Sequence, residues 1–318
     1  VKDRKAVVVF LMLAALLLAF AGCKNDDSES PEQSAYETLA AYLMANDMDL
    51  SDILSGWTIA AADVAGNEDD YYIIDIRSST VFAEGHIAGA VNGTLGGILD
   101  TAANSGGKPI IVVCYTGQSA SHAVVALRLS GYPDARLLLF GMSSWNADFD
   151  SWTANVGDIA VGNANWTTDA TAALQEFGQP TISTSETNGA DILADRVEAM
   201  LAGGYQGITA SDVLASPESY FINNYWAQTD VDTYGHIAGA YRIKENLTLA
   251  AGGFGNLDPG ETIVTYCWTG QTSSAVTAYL TVLGYDAKSL RFGVNAMIYS
   301  QLMAHQWTGP GDYPYVTG

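Results

Sequence analysis

Four blocks of this 318-residue sequence occur twice, in the same order and at nearly one spacing. Gly85-His-Ile-Ala-Gly-Ala90 is repeated unchanged as Gly235-His-Ile-Ala-Gly-Ala240, and Cys114-Tyr-Thr-Gly-Gln-Ser119 returns as Cys267-Trp-Thr-Gly-Gln-Thr272. Leu129-Ser-Gly-Tyr132 returns as Val282-Leu-Gly-Tyr285, and Leu139-Phe-Gly141 as Arg291-Phe-Gly293. The offsets of 150 to 153 residues are those of a whole domain. A solenoid would repeat at roughly 20–50 residues. The chain is therefore a duplicated domain, and any chemistry in the shared blocks is present twice.

Within each copy, short apolar runs alternate with helical patterns. Residues 71–76 and 109–113 are expected as buried strands, the second rich in β-branched residues. Residues 120–129 carry apolar side chains at helical spacing, with Gly131 as the stop, and 135–140 form a third strand. Residues 262–266, 274–283 and 288–292 repeat that series. Such alternation predicts an α/β fold, each copy a mainly parallel sheet flanked by helices. The expected division is a first domain at 34–164, a linker at 165–190 and a second domain at 191–318. The linker is rich in Thr, Ser, Asn and Gly, with one short helix at 170–177.

The N-terminus reads as a targeting signal. Lys2, Arg4 and Lys5 precede an apolar run over 6–21, followed by Gly22-Cys23 and a polar stretch. The run is short for a spanning helix, which needs ~20 residues. Ala21-Gly22 before a cysteine resembles a bacterial lipobox, with Phe20 where an aliphatic residue is usual. This predicts a signal peptide at 1–22, a lipidated Cys23 and a polar tether over 23–33. The body then lies outside the cytoplasm, lipid-anchored to a membrane of the cell envelope on the periplasmic side.

Acidic residues number 35 against 13 basic, for a net charge of −22. That balance argues against nucleic acid as a partner and against adhesion to anionic lipid head groups. Three cysteines are too few for a disulfide-built scaffold, and four histidines leave little room for a His-rich metal site.

The two remaining cysteines each end an apolar strand and precede a helix. Functional groups in open parallel sheets collect at the carboxyl ends of strands. A tight loop there can turn successive N–H groups inward as an anion nest, and the helix N-terminus adds its positive end. Gly117 and Gly270 permit positive φ, while Ser119 and Thr272 suit helix capping. A cysteine so placed is favoured as the thiolate, a nucleophile whose anionic adduct the backbone amides of 115–119 or 268–272 would hold. A single such cysteine would read as a small buried hydrophobe, but two at matching repeat positions, each before Thr-Gly-Gln, favour function. A disulfide between Cys114 and Cys267 is disfavoured, because each occupies the same place in its own domain.

These motifs together resemble tandem rhodanese-like domains, over nearly all of the chain after the signal. The resemblance is carried by Asp75-Ile-Arg77, Gly85-His-Ile-Ala-Gly-Ala90, the Cys114 loop and Phe140-Gly-Met-Ser-Ser-Trp145. It implies sulfur transfer: cysteine takes a sulfane sulfur from a small donor, holds it as a persulfide and passes it to a thiol or other thiophilic acceptor, including a protein. Cys114 and Cys267 would be the nucleophiles, with no metal or organic cofactor. The loops Tyr115, Thr116, Gly117, Gln118 and Ser119, and Trp268, Thr269, Gly270, Gln271 and Thr272, would bind substrate. Tyr115 and Trp268 would line the pocket mouth, and Gln118 and Gln271 would contact donor or acceptor.

Many rhodaneses carry arginines where this chain has Tyr115 or Trp268 and Gln118 or Gln271. A guanidinium gives charge-assisted bonds to an oxyanion and an amide does not, which weakens thiosulfate as donor. The second copy has Asn223-Asn-Tyr-Trp226 near the place of Asp75-Ile-Arg77. In the family His86 and His236 would be fold elements rather than general bases. A cysteine phosphatase or arsenate reductase would need Arg six positions after the cysteine, where Ala120 and Ser273 stand. The remaining alternative is a non-catalytic sulfur-carrier, redox-sensing or partner-binding module.

Overall fold

The computed structural model describes residues 33–318. The expected signal peptide, Cys23 and all but the last residue of the tether lie outside the described residues. The first repeat contributes β1 (Thr58–Ile59), β2 (Tyr72–Asp75), β3 (Val91–Asn92), β4 (Ile110–Val113) and β5 (Arg136–Leu138). They form one sheet in the order β1-β5-β4-β2-β3, parallel throughout. After β6 (Trp166–Thr167), the second repeat contributes β7 (Gly207–Ile208), β8 (Phe221–Asn224), β9 (His236–Ile237), β10 (Ile263–Tyr266) and β11 (Ala287–Leu290). Its sheet has the order β7-β11-β10-β8, again parallel. Every residue of β4, β8 and β10 is buried, as strands covered on both faces require.

Among the described residues four helices exceed ten residues: α1 (Ala35–Ala45), α2 (Gln118–Leu129), α3 (Gly189–Gly203) and α4 (Gln271–Val282). The chain enters α1 through a capping box, in which the Ser34 hydroxyl accepts from Glu37 N and the Glu37 carboxylate accepts from Ser34 N. Helices α2 and α4 follow the two cysteines and pack on each other, and one apolar cluster runs through α1, α2, α3 and α4 from one repeat into the other. Every α2 residue except Ser119 is buried. With its own sheet on one side and the other repeat on the other, α2 is covered nearly all round.

The segment expected as a linker is docked on the second repeat. Strand β6 pairs antiparallel with β9, Trp166 opposite Ile237 and Thr167 opposite His236. Further along, Ala172 N donates to Ala240 O and Phe177 N to Gly255 O. Residues 170–177 form no helix, and Ala172 bridges Tyr241. So short a helix is marginal alone, and the second repeat offers its backbone partners instead. The C-terminal tail does the reverse. Val316 forms an antiparallel bridge with His86, Tyr313 N donates to Trp145 O, and Trp145 Nε1 donates to Pro314 O. Each repeat thus completes the Gly-His-Ile turn of the other with the segment that follows its own sheet.

Candidate active site

Strand β4 carries Cys114 out of the middle of the first sheet, and β10 carries Cys267 out of the second. In both loops the glycine expected at positive φ adopts it, Gly117 at 81° and Gly270 at 76°. These glycines are themselves the N-caps, and the helices begin at Gln118 and Gln271. Ser119 and Thr272 therefore sit half-buried inside the first turn and do not cap it, contrary to expectation. Thr116 Oγ1 accepts from Gln118 Nε2 and Thr269 Oγ1 from Gln271 Nε2, both at 3.1 Å.

The segment after the next strand fixes each loop from behind. Met142 N donates to Cys114 O at 2.8 Å and Ser143 N to Tyr115 O at 3.0 Å. Val294 N and Asn295 N do the same for Cys267 O and Trp268 O, at 3.1 and 3.2 Å. Phe140 and Phe292, at matching places, both hold positive φ, 62° and 60°. The glycine following each, Gly141 or Gly293, lies so close to the cysteine carbonyl that a Cβ there would overlap it.

Both thiols are free and almost fully covered, Cys114 at 4% exposure and Cys267 at 3%. Gly117 N donates to Cys114 Sγ at 3.2 Å. In the second loop the amide on Cys267 Sγ comes from Ser273, at 3.3 Å, one residue beyond the stretch read as the cradle. The Ser273 hydroxyl, 3.5 Å from that sulfur, was not singled out by the sequence, and its counterpart is Ala120.

Gln118 and Gln271, expected to contact donor or acceptor, reach across to the opposite repeat. Gln271 Oε1 accepts from Phe140 N at 2.7 Å, and Gln118 Oε1 accepts from Phe292 N at 2.8 Å. Each amide oxygen is engaged by the opposite repeat, so the pair acts as a reciprocal latch between the two cysteine loops. Both side chains are buried, where a positive-φ turn presents an N–H that has to be satisfied. Trp152 packs edge-on against Phe140 and Phe292, with ring centroids 5.0 Å from each, and bridges the two halves.

The mouths differ. Tyr115 is exposed, its ring 5.6 Å from the Arg77 guanidinium, and Arg77 is buried in a forked pair with Asp75 that also reaches Gly85 O at 2.6 Å. Trp268 is half-buried and lies 4.5 Å from Trp226, with Tyr234 and His305 beside it. Asn224 pairs with Tyr266 as Asp75 pairs with Val113, so Asn224 and Trp226 take the places of Asp75 and Arg77. An aromatic contact replaces a guanidinium contact at the second mouth. His86 stacks on Phe82 with Nδ1 on Phe82 O, while His236 bonds Ile237 O and Asp169 O. The ring nitrogens so engaged serve the fold.

Among the described residues, no group of three His, Cys, Asp or Glu side chains is placed to hold a metal ion, and no helix is long and apolar enough to cross a membrane.

The profile of the Rhodanese-like domain matches residues 60–148 and again 194–298. Thiosulfate sulfurtransferase GlpE of Pseudomonas putida is 34% identical over 83 residues, 26% of this chain and 76% of the relative. The protein of that name in Shewanella oneidensis is 36% identical over 77 residues, 23% of this chain and 74% of the relative. Among solved structures, SseA of Escherichia coli, described with the 3-mercaptopyruvate sulfotransferases, is similar at 17% identity. That match has a TM-score of 0.28 and covers 74% of this chain and 98% of that one.

Proposed function

The chain belongs to the rhodanese-like domain family, and we propose that it is an extracytoplasmic sulfurtransferase whose two cysteines both carry sulfur as persulfide. The carrying observation is the pair of covered thiols at the carboxyl ends of central strands, each receiving a backbone N–H on its sulfur. Once a thiol has released its proton to solvent, the thiolate attacks the outer sulfur of the donor. The new bond is Cys–S–S, the donor's own sulfur–sulfur bond breaks, and its electron pair leaves on the donor. An acceptor thiolate then attacks the outer sulfur of the persulfide and the cysteine departs as thiolate. The amides at Sγ favour the anionic form at both ends of this cycle.

The GlpE relatives are named for thiosulfate. Here the loop offers Gln118 and Gln271 in place of arginine, with their oxygens already engaged. A polysulfide, or a thiol-borne or protein-borne persulfide, suits such a loop better than a dianionic oxyanion. Anchoring through Cys23 would present the site at a membrane surface while the strongly acidic body stays off anionic lipid. Sulfur transfer to cyanide, followed with thiosulfate and with polysulfide, tests the reading. Turnover is expected to be faster with polysulfide and to vanish in Cys114→Ser/Cys267→Ser. No turnover with either donor by a folded protein would refute it. Release of Cys23→Ser from the membrane fraction tests the anchor, and its retention there would refute that part.

A further inference from the structure

The second site contains a buried run of hydroxyls that the first lacks. Cys267 Sγ lies 3.5 Å from Ser273 Oγ, which lies 2.9 Å from Ser289 Oγ. Ser274 Oγ is 3.1 Å from Ser289 Oγ and 3.5 Å from the Tyr205 hydroxyl, which in turn donates to Gln118 Oε1 at 3.4 Å. Ser273, Ser274 and Ser289 are fully buried. In the first repeat Ala120 stands for Ser273, and Leu137 stands for Ser289, since Leu137 pairs with Thr58 as Ser289 pairs with its neighbour beside Ile208. Only Ser121 is kept, donating to Gly117 O as Ser274 donates to Gly270 O.

A hydroxyl both donates and accepts, so this run can serve two states of the sulfur. With the thiol protonated, S–H donates to Ser273 Oγ and the Ser273 proton points to Ser289. With the thiolate, Ser273 turns and donates to the sulfur while Ser289 donates to Ser273. Ser289 can then give up its 3.3 Å contact to Gly270 O, because Ser274 still donates to that carbonyl at 2.6 Å. No group in the run is left unsatisfied in either arrangement.

Resting on the sulfur-transfer reading above, we infer that Ser273 is a catalytic residue of the second site. Its hydroxyl stabilises the Cys267 sulfur anion and makes Cys267 the more reactive of the two cysteines near neutral pH. The other ionisable groups around this site do not substitute for it. Burial pushes the phenols of Tyr225 and Tyr205 up to about 12, so both are neutral there. Arg291 faces the Tyr205 ring, Arg242 is paired with Glu245, His236 is held by backbone carbonyls, and His305 lies on Trp268.

The test is alkylation of the full chain by iodoacetamide, read peptide by peptide, with Cys267 followed in Cys114→Ser and Cys114 in Cys267→Ser. Cys267 is expected to react faster at pH 7. Ser273→Ala should slow Cys267 about tenfold at pH 7, the loss expected when a hydrogen bond to an anion is removed. At pH 10, above the ordinary thiol range, the rates should converge. A purely steric role would change both pH values alike. Alanine is the natural residue at the matching position, and Ser289→Ala, expected to give a smaller slowing of the same pattern, supplies a second variant. Unchanged rates at pH 7 in Ser273→Ala, or equal slowing at both pH values, would overturn the inference. Alkylation needs no sulfur donor, so this outcome is independent of whether the protein carries persulfide.

Discussion

Replacing Gln271 by Leu removes the acceptor for Phe140 N and leaves α4 and its apolar surroundings in place. The lost bond is worth about 1 kcal/mol net, and stranding a partly buried N–H adds about 1–3 kcal/mol. The contact between Gln271 Nε2 and Thr269 Oγ1 goes as well, so the variant should lose about 2–4 kcal/mol. For a chain of this size that corresponds to a Tm lower by roughly 3–7 °C. Gln118→Leu should cost a similar amount through Phe292 N. The double variant should deviate from additivity, because the Gln271 amide lies against Gly117, the residue before Gln118. Urea unfolding with Gln228→Leu as the exposed control measures all of these, and the control should stay within about 0.5 kcal/mol of the parent. Losses below about 0.5 kcal/mol for both latch variants would refute the claim that the glutamines hold the two cysteine loops together.

Gly141→Ala should cost more than about 3 kcal/mol or prevent folding, since a Cβ there meets the Cys114 carbonyl and the backbone is at φ 60°. Gly66→Ala, at φ 81° with open space around it, should cost only about 1 kcal/mol in the same unfolding assay. Arg77→Trp alone strands a buried carboxylate and should cost about 3–5 kcal/mol, while Asp75→Asn/Arg77→Trp, the arrangement of the second repeat, should recover part of it. His122 is fully buried, and burial lowers its imidazole to about 3, so the folded protein keeps it neutral while the unfolded chain protonates below about 6.5. The resulting stabilisation is complete above pH 6.5 and is lost as pH falls from 6.5 towards 3, by about 1.4 kcal/mol per unit. Between pH 6.5 and 5 the parent should therefore lose up to about 2 kcal/mol more than His122→Leu, and parallel stability curves would contradict this.

The duplication, both cysteine loops and the strand–helix series are legible in the sequence because they are local. Residues 109–113 read as a strand and are β4 with one residue trimmed, and 120–129 read as a helix that begins two residues earlier. The third strand, expected over 135–140, stops at Leu138 because Phe140 and Gly141 turn at positive φ. What was not legible depends on partners far away in the chain. The glutamine latches span 131 and 174 residues, and nothing near Gln118 or Gln271 announces them. The segment read as a linker has linker composition, yet its backbone groups find partners on the second repeat. Ser273 enters the sequence reading only as the place of a missing arginine, because it follows the matched block, at a position where the two copies differ.

The most direct test of the account is the intact mass of the reduced, folded protein after exposure to polysulfide, in the parent, Cys114→Ser, Cys267→Ser and the double variant lacking both thiols. The account predicts a gain of one sulfur atom per intact loop cysteine, removed by cyanide and absent from the double variant. An unchanged mass in all of them would contradict persulfide chemistry at these thiols.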